Sequence, residues 1–321
     1  MAIISSNQIT KDFIKVERRW PYYWNKQTEV KQALKGLSLE IEEGEFVGFL
    51  GPNGAGKTTF LKILSGIMHP TSGEASVLGY TPWERNYDYL RQMAIVMGQK
   101  NQLWWDLPAI DSFNLLREIY SVPEKRFKKT LDQVVEVMGM KELLTKRLRN
   151  MSLGERMKCE LAASFLHEPK IIYLDEPTIG LDVVSARSVR EFLKKMNREK
   201  NYTFILTSHY IGDIEELCER VIIIDKGQKI YDGKLKALIE KYAPEKRIEI
   251  FLSNLEEKKK FAHLSAKKKK IIQTSGLILA EKNELGQVVK EVFDKFPPEN
   301  ISINDPDAEE IIGRIFKGNI K

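Results

Sequence analysis

The feature that most constrains this chain is the run Gly51-Pro52-Asn53-Gly54-Ala55-Gly56-Lys57-Thr58-Thr59, set between the apolar stretch Phe46 to Leu50 and the helix-like stretch Phe60 to Leu64. Strand, glycine loop and helix in that order form the Walker A arrangement. Glycines let backbone N–H groups wrap phosphates, the lysine reaches the β- and γ-phosphates, and a hydroxyl ligates Mg²⁺. Lys57 and Thr58 stand at those two positions. The pattern demands an α/β fold whose ligand sits at the carboxyl ends of parallel strands.

A second run, Met151 to Asp182, reads MSLGERMKCELAASFLHEPKIIYLDEPTIGLD. Ser152-Leu153-Gly154-Glu155 falls where a loop turns into a helix, so its hydroxyl and free N–H groups can face a phosphate. That helix is predicted to run to about His167. Ile171 to Leu174 reads as a strand buried on both faces that delivers Asp175 and Glu176 to its carboxyl end. Two acids closing an apolar strand are costly unless a metal or substrate compensates. Asp175 suits Mg²⁺, and Glu176, pointing differently, suits the general base that polarises an attacking water. The competing reading is an acidic helix cap before Thr178.

These residues resemble the ATP-binding subunit of ABC transporters, over residues 5 to 235. The resemblance implies a P-loop NTPase motor domain of ABC type, α/β with a helical subdomain, that hydrolyses ATP with Mg²⁺. The family's LSGGQ signature reads Met151-Ser152-Leu153-Gly154-Glu155, keeping Ser152 and Gly154, which the family uses to touch the γ-phosphate. Gln99 matches the glutamine that links metal and attacking water to the membrane partner. Leu181-Asp182 matches the loop that crosses between subunits, and His209, ending the strand Phe204 to Ser208, matches the switch histidine. Phe13 is the positional match for the aromatic that stacks on adenine. An extra stretch, Val16 to Lys31, holds Trp20, Tyr22, Tyr23 and Trp24, any of which could replace it.

A finer resemblance lies in Met97 to Asp106, the Leu at 153 and Pro177 to Asp182. Together these are similar to the ATPases of type 2 exporters related to daunorubicin resistance, in which Leu is usual at the 153 position. The implied partners are a separate transmembrane permease and a second ATPase chain, a homodimer or a heterodimer, at the cytoplasmic face of the cell membrane. Leu103 to Pro108, with paired Trp104 and Trp105, is expected on the permease side. A soluble ABC ATPase of assembly or repair and an importer ATPase are the alternatives. A repair ATPase would separate Walker A from signature by a long coiled coil that this spacing does not hold.

Composition agrees. The 321 residues fit one large domain and a smaller one, expected at 1–240, with a helical subdomain at about 100–165, and 241–321. The net charge of +6 suits an anionic membrane face and would attract nucleic acid equally; it is the resemblance that implies no nucleic-acid partner. Two isolated cysteines, Cys159 and Cys218, read as reduced thiols, and no apolar run approaches the ~18 residues of a membrane span. Beyond Lys234 the pattern predicts a small α+β appendage: strands at 247–252, 270–281 (broken at Ser275-Gly276) and 301–303, and helices at 256–264, 285–296 and 309–316. Lysine runs at 258–260 and 267–270 read as a solvated face.

Overall fold

The computed structural model describes residues 2–18, 26–98, 100–208, 210–242, 245–266, 268–281, 283–297, 300–304 and 308–316. The chain divides into two compact units, Met1–Gly233 and Lys234–Lys321.

In the first unit, β1 (Ala2–Arg18) and β2 (Lys26–Glu42) form a long antiparallel hairpin. Next, β3 (Phe46–Leu50) runs through the glycine loop into α1 (Lys57–Leu64), and β4 (Ser72–Val77) returns to pair with β1. After α2 (Tyr87–Leu90) and β5 (Met93–Met97) come three helices, α3 (Ala109–Ile119), α4 (Glu124–Met138) and α5 (Leu153–Phe165). The chain then alternates β6 (Ile171–Asp175), α6 (Val183–Lys200), β7 (Thr203–Ser208), α7 (Ile211–Leu217) and β8 (Arg220–Asp225), and ends in β9 (Gln228–Lys234).

Two sheets result, β2-β1-β4 and β5-β6-β7-β3-β8-β9. In the second, β5, β6, β7, β3 and β8 pair in parallel. Their sequences are continuous apolar runs because helices cover both faces, and every residue of β3 and β7 is buried. Side chains of α1 (Phe60, Leu61, Ile63, Leu64) join Ile4, Leu37, Val47, Phe49 and Tyr173 in one core. Each such side chain contributes roughly 1.5–3 kcal/mol by leaving water. That core seats α1, and with it the glycine loop, on the sheet.

The stretch expected to be an insertion after Val16 continues the hairpin, with pairing to Arg18 and Lys26. Trp20, Tyr22, Tyr23 and Trp24 lie outside the described residues.

The second unit opens with α8 (Leu235–Tyr242). There follow β10 (Glu245–Phe251), α9 (Leu255–Ala262), β11 (Lys268–Ile272), β12 (Ser275–Glu281), α10 (Leu285–Lys295), β13 (Ile301–Asn304) and α11 (Ala308–Phe316). The sheet order β11-β12-β10-β13, all antiparallel, is the β-α-β-β-α-β ferredoxin-like arrangement. Period-two alternation turns Ile248, Ile250, Ile278 and Ala280 inward, where they meet Phe261, Val292 and Phe296.

Candidate nucleotide site

Parallel register brings the chemistry together. Met97 pairs with Asp175 and Asp175 with Thr207, while Leu50 pairs with Ser208. The carboxyl ends of β5, β6, β7 and β3 therefore lie side by side. Gly98, the Asp175-Glu176 pair, Ser208 and the glycine loop leave the sheet from one edge. A cleft of about 370 Å³ opens there, lined by Phe13, Lys31, Asn53, Lys57, Thr58 and Glu176 among others.

Within the loop, Lys57 is buried, and its ammonium donates to the carbonyl oxygens of Gly51 (2.6 Å) and Pro52 (3.2 Å). Burial draws its pKa below the ordinary lysine value, against the pull of Glu176 and Asp175. Gly54 stands at φ 81°, and a Cβ there would meet nothing within 4 Å, so the loop is open toward the cleft. Gly56, at φ 110°, precedes α1. Pro52 and Ala55 complete the loop, with the Ala55 N–H donating to the Pro52 carbonyl at 3.1 Å, and Thr59 lies in the first turn of α1. Asp175 accepts through Oδ1 from the hydroxyls of Thr58 (2.8 Å) and Thr207 (2.6 Å). These hydroxyl and carboxylate oxygens are hard donors suited to Mg²⁺, and a buried ammonium in a glycine loop at the start of a helix suits a polyphosphate. The residues present fit Mg²⁺ and ATP.

Glu176 follows at φ 54°, a left-handed conformation uncommon for a residue with a side chain. Its N–H donates to the Thr207 carbonyl at 3.0 Å, and Gly98 packs against it so closely that a Cβ on Gly98 would lie 2.1 Å from the Glu176 carbonyl oxygen. Neither acid caps a helix, since α6 begins at Val183 with Asp182 as its N-cap. Phe13 lies half-exposed on β1, with the Lys11 ammonium 5.6 Å from its ring centre. Gln99 and His209 lie outside the described residues, between the placed neighbours Gly98 and Lys100, and Ser208 and Tyr210.

The signature opens α5. Ser152 is its N-cap, accepting from the Glu155 N–H at 3.2 Å while Glu155 Oε2 accepts from the Ser152 N–H at 2.7 Å. Asp182 accepts from the N–H groups of Val184 (3.0 Å) and Ser185 (2.9 Å) and from the Ser185 hydroxyl (2.6 Å), which holds its carboxyl below the usual range. Gly154 is pressed against this turn, where a Cβ would come within 2.4 Å of Ser185 Oγ.

The chain matches the family described as ABC transporter over residues 34–179. The ABC transporter ATP-binding protein NatA of Bacillus subtilis is 33% identical over 227 residues, covering 71% of this chain and 92% of NatA. The chain belongs to the ABC transporter ATP-binding family. The linearmycin resistance ATP-binding protein LnrL of the same organism is 32% identical to this ABC ATPase, covering 71% of the chain and 72% of LnrL. A dimeric structure of the ATP-binding cassette MJ0796, in a post-hydrolysis state bound to ADP and Pi, superposes with a TM-score of 0.62 at 26% identity, over 72% of this chain and 98% of that one. As an ABC ATPase the chain binds ATP with Mg²⁺ and hydrolyses it.

Sequence reasoning missed Thr207 as a second hydroxyl on Asp175, and Gly98 as the seat of Glu176. A Thr-Ser pair closing an apolar strand was the available signal for the first. The second had none, because a close backbone approach leaves no mark on residue spacing.

Proposed function

We propose that this ABC ATPase is the motor subunit of an exporter, in which ATP draws two ATPase chains together and hydrolysis releases them, moving a separate transmembrane permease at the cytoplasmic face of the membrane. The observation that carries the reading is the single sheet edge where Lys57, Thr58 and Glu176 line one cleft, with Asp175 bonded to the Thr58 hydroxyl behind them. Lys57 and the backbone N–H groups of the glycine loop around Gly54 and Gly56 bind the phosphates, and Phe13 stacks on adenine. Thr58 and Asp175 hold Mg²⁺, which neutralises charge on the β- and γ-phosphates when bound. Glu176 orients the attacking water and draws its proton, and Gln99 and His209 complete the site as the family resemblance implies.

Ser152 and Gly154 reach the γ-phosphate held by a second copy of the chain. Val183 and Val184, next to that surface, are 81% and 78% exposed, as expected of side chains that a partner covers. For the permease, a groove of about 430 Å³ reaches Leu103, next to Trp104-Trp105, and is lined by Leu116, Ile119, Arg85 and Arg91 among others. Export is supported by the likeness to a resistance ATPase. The test is Glu176→Gln. Turnover should fall by about three orders of magnitude, and light scattering should show a dimer trapped by ATP. A Glu176→Gln variant that hydrolyses ATP like the wild type would overturn the assignment of the base.

A further inference from the structure

Asp213, in the first turn of α7, has a relative exposure of 0%. A carboxylate so far from water persists only when its oxygens are satisfied. Oδ1 accepts from Arg190 Nη1 at 3.0 Å, and Oδ2 accepts from the Thr178 hydroxyl, with the Ser208 hydroxyl 3.2 Å away. Arg190, on α6, is gripped at its other side by Glu216 of α7. Ser208 Oγ also accepts from the Tyr210 N–H at 2.9 Å. One buried carboxylate therefore joins α6, α7, the end of β7 and the turn that leaves β6.

That turn is where a fixed point is needed. Glu176 has a positive φ and stands before Pro177, and a residue before proline is pushed toward extended backbone. Its conformation is held from outside. On one side are Gly98 and the Thr207 carbonyl; on the other the chain is pinned two residues on, at Thr178. The Ile179 N–H closes the turn onto the Glu176 carbonyl at 3.2 Å. Losing the Thr178 hydroxyl removes the side-chain anchor of this turn, which then rests on the Ile179 and Leu181 N–H bonds alone, while Lys57, Thr58 and Asp175 keep their own partners.

We infer that Asp213 is a positioning residue for hydrolysis, fixing the Glu176-Pro177-Thr178 turn through its bond to the Thr178 hydroxyl. The inference rests on Glu176 being the general base. The experiment uses the full-length chain and compares Thr178→Val, which keeps shape and loses the hydroxyl, with Thr178→Ser, which restores it. Thr178→Val should lower kcat between about tenfold and a hundredfold, the range for a slightly misplaced catalytic group. KM for ATP and the ATP-dependent dimer should stay at wild-type values, and Thr178→Ser should recover most of kcat. In single turnovers, adding Thr178→Val to Glu176→Gln should cost nothing more, because the effect acts through Glu176.

Wild-type kcat in Thr178→Val overturns the inference. So does a further loss in the Glu176→Gln background, which would mark a merely structural role. A Glu176→Gln variant with wild-type turnover sinks the base assignment instead, so the two failures are distinguishable.

Discussion

At the scale of single residues, the departures from the LSGGQ pattern acquire physical reasons. Glu155, where glutamine is usual, closes a reciprocal cap with Ser152 and accepts from Lys146 Nζ at 2.9 and 3.0 Å. The Lys146 bond and the Ser152 N–H hold its carboxyl below the ordinary range. Leu153, where glycine is usual, lies against Gly180, whose added Cβ would sit 3.0 Å from Leu153 Cδ2. The two substitutions thus fasten the start of α5 to its surroundings. Glutamine serves at this cap position as well as glutamate, and a part-exposed ion pair contributes only a few tenths of a kcal/mol, at most about 1. Glu155→Gln should therefore melt near the wild-type temperature. Glu155→Ala, which loses the reciprocal half of the cap while the Ser152 hydroxyl keeps the residue-155 N–H, should lose about 0.5–1 kcal/mol of stability. Calorimetry of both variants checks this, and equal melting temperatures would refute the capping role.

At the scale of elements, α5 ties the signature to its neighbours at both ends. Near its middle, Glu160 is buried and accepts from the N–H groups of Gln102 (2.9 Å) and Leu103 (3.2 Å), in the segment that follows Gln99; burial pushes its carboxyl pKa up. Arg156 lies 4.9 Å from the Trp105 ring centre, a cation–π contact that holds the Trp104-Trp105 segment to the same helix. Just past the carboxyl end of α5, His167 stacks on Tyr120, with ring centres 3.9 Å apart, and its Nε2 donates to the Met93 carbonyl at 3.0 Å. One imidazole therefore joins α3, α5 and β5. Burial lowers its pKa to about 4, against about 6.5 in the unfolded chain. The folded state favours the neutral ring, so its stability is intact above pH ~6.5 and falls as the pH drops toward 4, by about 3 kcal/mol in all. Melting temperatures at pH 7.5 and pH 5 should differ more for the wild type than for His167→Phe. Equal differences would mean that another group carries the acid sensitivity.

At the scale of the whole molecule, the two units have separate cores, one built from residues 4 to 224 and one from residues 248 to 301. A domain with its own core unfolds as its own cooperative unit. Calorimetry should resolve two transitions. Mg²⁺ and ATP, added to Glu176→Gln so that nucleotide persists, should raise the first-unit transition, by about 2.7 kcal/mol at a hundredfold excess over Kd, and leave the other in place. A single transition, or two that both move, would contradict this. The small unit exposes Phe251, Ile271 and Ile272 on its sheet, and among the described residues no cluster of His, Cys, Asp or Glu there could hold a metal.

Much of this protein was legible in its sequence because the signals are local. A glycine loop must join a strand to a helix, an apolar run covered on both faces must be a buried strand, and period-two and helical spacing marked the elements from β10 to α11 to within about two residues, while α8 went unread and the break expected at Ser275-Gly276 falls before them, at residues 273–274. Ser152 at the start of α5, and Asp175 and Glu176 at the end of β6, stand where those patterns put them. The tertiary structure alone decided which groups meet. Thr58 and Asp175 are 117 residues apart in sequence, and Thr178 and Asp213 are 35 apart. Parallel register and helix packing close those distances. Residue spacing cannot encode them, because a hydrogen bond across a parallel sheet depends on how separate strands align and not on the path of the chain between them.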